Sequence, residues 1–442
     1  MLPLIISNRL KTHFQSAVIP ALAAGLFLHS GQTFAAQATT FTPVQAVQAV
    51  AKQVRANFYS VAKGDEIAKV LENEAKQGKF DQYTVPGDLA TALSSRMKAF
   101  DKHFNVLWSG STSAAQDRPN TTRSPMRDLE SLDKRKNFGF DKVEILPGNI
   151  GYINMSHFGM IDTTDAQSPA RRAADAALAM IANTDAVIID VRNNIGGAPQ
   201  MVGYMVSAFH SGKDIYNTFH SRSGTFIEGP RTPYADPRTN VPLYILTSKR
   251  TGSAGEGFPY TLKAAKRATL VGEATYGGAN PGGQFDAGNG FSVFVSTGKS
   301  VNPFTGTNWE GTGAEPDIKV NAEEALNVAS IHALKDLLAT STDPRVRQSL
   351  SWALDVLQPP TVAAWDAADY VGNYLGNLIS ANGKQLSFGH SHKTMVPVAK
   401  DVFILAGRAD QRFTFVRDAN GKVIALEILN DRNMNSRYTR NT

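Results

Sequence analysis

The chain has 442 residues, an apolar fraction of 42%, a charged fraction of 19% and a formal net charge of +6. These values are ordinary for a soluble globular protein of two or three domains, and they argue against disordered, collagen-like and coiled-coil proteins. The absence of cysteine excludes disulfides, thiolate nucleophiles, thiolate metal sites and lipid attachment through cysteine. Basic residues are scattered, and the densest run, at 134–136, adjoins Asp133, so no nucleic-acid partner is predicted.

The N-terminal segment has the pattern of a secretory signal peptide. Arg9 and Lys11 precede an apolar run at 17–28, and small residues follow with an A-x-A pattern at 36–38. The apolar run is too short to span a bilayer. We therefore predict a signal peptide at residues 1–38, a periplasmic or secreted mature protein, and no stable membrane insertion after cleavage. The alternative is an amphipathic helix of the mature protein.

A helical subdomain is predicted at residues 39–108. Apolar residues recur at helical spacing in three stretches, at about 44–54, 65–77 and 88–100. Asp88 follows Pro86 and Gly87 and is predicted to be the N-cap of the third helix. Residues 109–135 are polar and are predicted to form an exposed linker.

An α/β domain is predicted at residues 136–345, because short apolar runs alternate there with helical stretches. The apolar runs at 150–155, 186–190 and 243–247 are predicted to be buried strands. Residues 360–442 contain short strands and turns only, which indicates a separate small β domain.

A serine follows one of the predicted strands at the start of a helix. The segment 251–256 reads TGSAGE and comes shortly after the strand at 243–247. Such a turn exposes Ser253 at the edge of the sheet, where the amide of Ala254 would face an oxyanion. An ordinary N-cap serine, with Glu256 as its capping partner, fits the same pattern, and this segment alone favours that interpretation.

A glycine pair follows another predicted strand. The segment 190–197 reads DVRNNIGG, and paired glycines allow backbone amides to approach a ligand closely. The alternative is a tight loop between a strand and a helix.

Taken together, these segments resemble the catalytic domain of the tail-specific, or C-terminal processing, peptidases. The sequence has DVRNNIGG, TSKRTGSAGE, ATLVGEATYGG and WEGTGAEPDI in the order and spacing of that family, over about residues 137–320. The resemblance implies an α/β catalytic domain of the tail-specific protease type with a crotonase-like ββα core. It also implies Ser253 as nucleophile and an oxyanion hole formed by the amide of Ala254 and an amide of the pair Gly196 and Gly197.

The general base differs between branches of this family. The best-known branch is similar in using a lysine about 25 residues after the serine, but Gly278 occupies that position here. The branch that includes the tricorn core protease, the chlamydial secreted protease and the interphotoreceptor retinoid-binding proteins fits the chain better. Its proteases use Ser, His and Glu, and three positions match: Ser253, His103 in the segment DKHF, and Glu310, which is 57 residues after Ser253.

Each of these two residues has a competing interpretation. His103 could instead be a cation at the C-terminal end of a helix. Glu310 could be an ordinary surface carboxylate, and Glu315 is its nearest competitor for the role in the triad.

The resulting prediction is an exported serine peptidase that hydrolyses peptide bonds through an acyl-enzyme, with Ser253, His103 and Glu310 as the triad. Its partner is a peptide or protein substrate, and a homo-oligomer is left open. No cofactor is expected, and no metal site, since His390 and His392 lack a nearby third ligand. One alternative is a binding module for apolar ligands, similar to the retinoid-binding proteins, in which Ser253 is only a helix cap. Another is an esterase-like hydrolase that uses the same triad.

Overall fold

The computed structural model describes residues 41–110 and 132–441. The predicted signal peptide at 1–38 and most of the predicted linker at 109–135 lie outside the described residues. Within those two ranges, no helix is both long enough and apolar enough to cross a membrane.

Helices and strands alternate through the middle of the chain, and strands alone follow at the end. The helices are α1 (Pro43–Asn57), α2 (Val61–Lys76), α3 (Pro86–Met97), α4 (Pro169–Met180), α5 (Pro199–Ser207), α6 (Ala254–Ala264), α7 (Ala325–Thr340) and α8 (Pro344–Leu357). The first twelve strands are β1 (Asn105–Trp108), β2 (Phe140–Leu146), β3 (Ile150–Met155), β4 (Ala186–Asp190), β5 (Thr218–Ser221), β6 (Gly224–Ile227), β7 (Leu243–Thr247), β8 (Thr269–Gly272), β9 (Gly282–Gly288), β10 (Phe291–Ser296), β11 (Gly298–Val301) and β12 (Ile318–Lys319). The last eight are β13 (Gly372–Tyr374), β14 (Asn377–Asn382), β15 (Gln385–Phe388), β16 (Lys393–Ala399), β17 (Val402–Leu405), β18 (Gln411–Arg417), β19 (Val423–Asn430) and β20 (Asn435–Thr439).

A six-stranded sheet in the order β12-β8-β7-β4-β3-β2 forms the centre of the α/β region. Its strands are parallel except β2, which runs antiparallel to β3. Every residue of β4 and β7 is buried, as expected for parallel strands that are covered on both faces. The α/β class is confirmed, and so are the strands predicted at 150–155, 186–190 and 243–247.

Two apolar cores lie on opposite faces of this sheet, because successive side chains of a strand point to opposite sides. Val187 and Ile189 of β4 pack in the core that includes α4, α5 and α6. Ile188 of the same strand packs in the core with α7 and α8. The result is a three-layer arrangement with the sheet in the middle.

The N-terminal helices share a core with strands that come almost 200 residues later. Side chains of α1, α2 and α3 pack with Val106 of β1 and with Phe291 and Val293 of β10. Strand β1 pairs with β10, which in turn pairs with β9. One local prediction was wrong: α3 begins at Pro86, with Val85 as its N-cap, and Asp88 lies in its first turn. Proline at the first helical position fits this start, because its missing N–H has no partner there in any case.

The last eight strands form one antiparallel sheet in chain order, from β13 to β20. Arg440, just after β20, bridges back to Tyr374 of β13, so the first strand meets the end of the last one. Arg412 of this sheet pairs with Asp355 of α8 at 2.7 Å and lies over the ring of Trp352. These contacts dock the C-terminal sheet against α8.

Candidate active site

Ser253 lies at the carboxyl end of the central sheet, between β7 and α6. It is the N-cap of α6, and its backbone has φ 53° and ψ −125°, which is unusual for a residue with a side chain. Its N–H donates to Oε2 of Glu256 at 2.9 Å, so Glu256 is the capping partner that the sequence predicts. A sharp, strained turn from strand to helix is the conformation that holds a serine out at the edge of a sheet.

The glycine pair lies directly beside this turn. Gly196 and Gly197 have φ values of 116° and 135°, in the region that favours glycine. A Cβ atom on Gly196 would lie 2.9 Å from Cβ of Ser253, and one on Gly197 would lie 2.1 Å from the carbonyl oxygen of Phe158. Both positions therefore require glycine, since any side chain would displace the serine turn or the neighbouring chain.

The amides around Ser253 differ in whether they are already engaged. The amide of Gly196 donates to Oδ1 of Asn194 at 2.9 Å. The amides of Gly197 and Ala254 donate to no acceptor among residues 41–110 and 132–441. Both residues line the cleft that contains Ser253. Of the three predicted oxyanion donors, Gly197 and Ala254 are thus the two with N–H groups to offer.

The cleft has a volume of about 300 Å³ and brings Ser253 and His103 to one place. Aromatic and loop residues form most of its walls, together with one carboxylate. Its lining consists of His103, Gly197, Pro199, Phe219, Glu228, Ser253, Ala254, Ala279, Asn280, Pro281, Gly282, Phe294 and Trp309.

His103 sits in the turn between α3 and β1, and its ring is held on two sides. The ring stacks on Phe294 with centroids 5.6 Å apart. Its other contact is Gly278, where a Cβ atom would lie 2.8 Å from Cε1 of the imidazole. Gly278 is the position at which the best-known branch of the tail-specific family is expected to have lysine. Here the histidine ring occupies the space that a side chain at residue 278 would need.

Nδ1 of His103 faces acidic groups. This atom is buried and has no hydrogen bond with the described residues, and it lies 3.9 Å from Oδ1 of Asp101. A ring nitrogen of His103 and one oxygen each of Asp101 and Glu310 all lie within 4.8 Å of one another. Burial lowers the pKa of His103 below its ordinary value, and Asp101 offsets part of that effect. Burial thus favours the neutral imidazole, which is the form that a general base requires.

Glu310 is held by backbone amides from two distant segments. Its Oε1 accepts from the amide of Lys102 at 2.9 Å, and its Oε2 accepts from the amides of Ala279 at 2.7 Å and Asn280 at 3.2 Å. Burial raises the pKa of Glu310, Asp101 raises it further, and the three amides act in the opposite direction. Its competitor Glu315 is instead exposed and pairs with Lys319 at 3.0 Å.

The sequence analysis did not assign a role to Asp101. This buried carboxylate accepts from the backbone amide of His103 at 2.9 Å and from the side chain of Asn280 at 3.1 Å. Its place two residues before His103 was the available signal, because Asp commonly accepts from the amide two residues later. Asp101 thus fixes the backbone that carries the imidazole.

The role of Glu256 is also larger than the sequence indicated. Besides Ser253, its fully buried carboxylate accepts from the hydroxyl of Thr275 and from the amides of Gly277 at 2.6 Å and Gly278 at 2.8 Å. Burial raises its pKa to about 7, and these hydrogen bonds limit the rise. Glu256 therefore ties the serine turn to the loop against which His103 packs.

Asp101, His103 and Glu310 offer the donor types that a divalent cation uses. Both oxygens of Glu310 already accept amide hydrogens, and both oxygens of Asp101 accept hydrogen bonds as well. The arrangement fits an acid–imidazole pair better than a metal centre, because a cation would compete with these donors for the lone pairs of the carboxylates.

Residues 149–320, which carry the serine turn, the glycine pair and Glu310, match the model of peptidase family S41. Over these residues the chain is therefore similar to the domain of this peptidase family. Carboxyl-terminal-processing peptidase 1 of the Arabidopsis thaliana chloroplast is 28% identical over 184 residues, which is 41% of this chain and 36% of the relative. The carboxyl-terminal-processing protease of Synechocystis is 29% identical over 158 residues, which is 36% of this chain and 35% of the relative. The chain thus matches only about a third of the length of these curated relatives.

Solved structures of similar proteins include the photosystem II D1 C-terminal processing protease, with a TM-score of 0.43 and 16% identity over 69% of this chain and 100% of that one. The tricorn protease has a TM-score of 0.40 and 12% identity over 72% of this chain and 37% of that one.

Proposed function

We propose that this chain is an exported serine peptidase that cleaves peptide bonds with Ser253 as nucleophile, His103 as general base and Glu310 as the acid that orients the imidazole. The observation that carries the proposal is the shared cleft: Ser253 lies on its sheet side, and His103, with two carboxylates beside its ring, lies on the other. The S41 domain and the processing peptidases among the relatives support the same reaction class.

In the proposed mechanism, Nε2 of His103 takes the proton of the Ser253 hydroxyl as its oxygen attacks the scissile carbonyl. The amides of Gly197 and Ala254 stabilise the oxyanion. His103 then returns the proton to the leaving amine, and an acyl-enzyme remains on Ser253. Water, activated by the same imidazole, releases the acid product. Glu310 stabilises the imidazolium that forms in each step, because its negative charge lies next to the ring.

Labelling of the purified protein with a fluorophosphonate probe, together with casein digestion, tests this function. We expect labelling of the parent protein, none in Ser253→Ala, and a labelling rate lower by ~10²-fold or more in His103→Ala. His157→Ala serves as the matched control, because His157 bonds to Asp133 and does not line the cleft. Labelling that persists in Ser253→Ala would contradict the proposal. An unlabelled parent protein would favour the ligand-binding alternative.

Export is a separate part of the proposal. It is supported by the basic start, the short apolar run and the A-x-A pattern at 36–38. The intact mass of protein recovered from the bacterial periplasm or culture medium should correspond to a chain that begins after residue 36 or 38. An uncleaved chain that remains in the cytoplasm would contradict export and leave the reaction untouched.

A further inference from the structure

Glu228 is a buried carboxylate in the wall of the active-site cleft, and the proposed mechanism does not use it. It follows the edge strand β6, is only 3% exposed and lines the same cleft as Ser253. Burial of a carboxyl group is costly unless the group is paired or serves a purpose. Its position in the wall therefore suggests that it contacts the ligand that the cleft binds.

The two oxygens of Glu228 differ in their partners. Oε2 accepts from the side-chain amide of Asn217 at 2.8 Å. Among residues 41–110 and 132–441, the side chain and the backbone amide of Asn217 are the donors that act on this carboxylate, no hydrogen bond to Oε1 is present, and no Lys, Arg or His nitrogen lies within 4.0 Å of it. Desolvation raises the pKa of Glu228 to about 8, against the effect of Asn217. The group thus has one satisfied oxygen and one that is free to receive a donor from the cleft.

The free oxygen lies one helical turn beyond the nucleophile. A Cβ atom on Gly257 would lie 3.8 Å from Oε1 of Glu228 and 3.2 Å from Cη2 of Trp309. Gly257 is four residues after Ser253, so the two share a face of α6 about 6 Å apart along its axis. Because residue 257 has no side chain, the space between the Trp309 ring and Glu228 stays open towards Ser253.

We propose that Glu228 forms the floor of the pocket for the side chain that precedes the scissile bond, and that this pocket selects lysine or arginine. The proposal rests on the proposed peptidase function. The aliphatic stem of such a side chain fits aromatic walls such as those of Trp309 and Phe219, and its head supplies only donors, as an unpaired carboxylate oxygen requires. The incoming cation also favours the ionised form of Glu228, which gives a charge-assisted hydrogen bond in a site shielded from water.

Matched peptide substrates test the selection. Acetyl-Ala-Ala-Xaa amides that release an aminocoumarin would carry arginine or its neutral analogue citrulline, and lysine or norleucine, at the variable position. We expect kcat/KM for the cationic member of each pair to exceed that of the neutral member by ~10- to 100-fold in the parent protein. In Glu228→Gln the ratio should fall to within about threefold, since a neutral amide no longer pairs with the cation. Glu315→Gln is the control with an exposed glutamate, and it should keep the parent ratio.

Binding to an inactive variant separates this proposal from the peptidase function. In Ser253→Ala, calorimetry with acetyl-Ala-Ala-Arg and its citrulline analogue should show tighter binding of the arginine peptide, and Ser253→Ala with Glu228→Gln should bind both alike. If this preference is found while the parent protein itself shows no peptidase activity, the pocket would be supported and the peptidase function contradicted. Cleavage with equal kcat/KM for both members of each pair would overturn the pocket and leave the function standing. A preference that survives Glu228→Gln would also overturn it.

Discussion

The two sides of the cleft are assembled in different ways. Ser253 and the amides of Gly197 and Ala254 come from loops at the carboxyl ends of the adjacent parallel strands β4 and β7. His103 and Glu310 come from segments with no shared secondary structure, and the two segments are joined by the backbone amide of Lys102, which donates to Glu310, 208 positions further along the chain. The nucleophile side therefore depends on local chain geometry, whereas the base side depends on contacts that form only when the whole domain has folded.

This difference has a mechanical consequence, because the carboxylate of Glu256 links the two sides through hydrogen bonds. Its carboxylate bonds to the amide of Ser253 on one side and to those of Gly277 and Gly278 on the other. The serine turn can therefore keep its conformation while the imidazole of His103 is displaced. Substitutions on the base side should accordingly reduce the reaction rate and leave the serine turn in place.

The largest effect is expected when each of the two acids beside the imidazole is replaced in turn by its amide. Glu310→Gln should lower kcat/KM by ~10²- to 10⁴-fold, because the charge that stabilises the imidazolium is lost. Asp101→Asn should cost less, since an amide oxygen can still accept from the backbone amide of His103. The measurement is kcat/KM on one peptide substrate, with the Tm of each variant to check folding.

Glu315→Gln is the control for this exchange, and it should retain the parent rate because Glu315 lies outside the cleft. A larger loss in Asp101→Asn than in Glu310→Gln, at unchanged Tm, would assign the orienting role to Asp101.

The same contrast explains what the sequence could predict. The strands at 186–190 and 243–247 are short apolar runs followed by glycine-rich turns, so both their burial and the place of Ser253 follow from local patterns. The family resemblance pointed to His103 and Glu310, but their surroundings did not follow from it. No local pattern predicts that the amides of Lys102 and Ala279 converge on one carboxylate, or that Glu228 reaches the cleft from β6.

An intermediate effect is expected from adding one methyl group on the base side. Gly278→Ala would place a Cβ atom 2.8 Å from Cε1 of His103, so the ring must move. A displacement of this size should lower kcat/KM by ~10- to 100-fold, with a parallel fall in the rate of fluorophosphonate labelling.

Gly283→Ala is the matched control, because a Cβ atom there meets nothing closer than 3.8 Å. Equal activity in Gly278→Ala and the parent protein would mean that the ring does not need its present position, and the base side would then be less exacting than the structure indicates.

The smallest effect concerns the pH at which the base side is protonated. His103 must be neutral to accept the serine proton, so kcat/KM should fall as the pH drops through its pKa. Burial lowers this pKa below the ordinary value of about 6.5, and activity should therefore persist below that pH. Asp101 acts in the opposite direction, because its negative charge favours the imidazolium. Asp101→Asn should consequently move the acid limb of the pH profile to lower pH.

Glu256 provides the competing explanation for that limb, since its pKa is raised to about 7 and its carboxylate holds the serine turn. The two groups can be told apart because the negative charge of Asp101 raises the pKa of His103, whereas the pKa of Glu256 is set by its burial and by its own hydrogen bonds. Profiles of kcat/KM for the parent protein, Asp101→Asn and Glu315→Gln between about pH 4.5 and 8 would make the distinction. A limb that Asp101→Asn shifts downward belongs to the imidazole. A limb near pH 7 that neither substitution moves belongs to Glu256, and the nucleophile side would then set the pH dependence of the reaction.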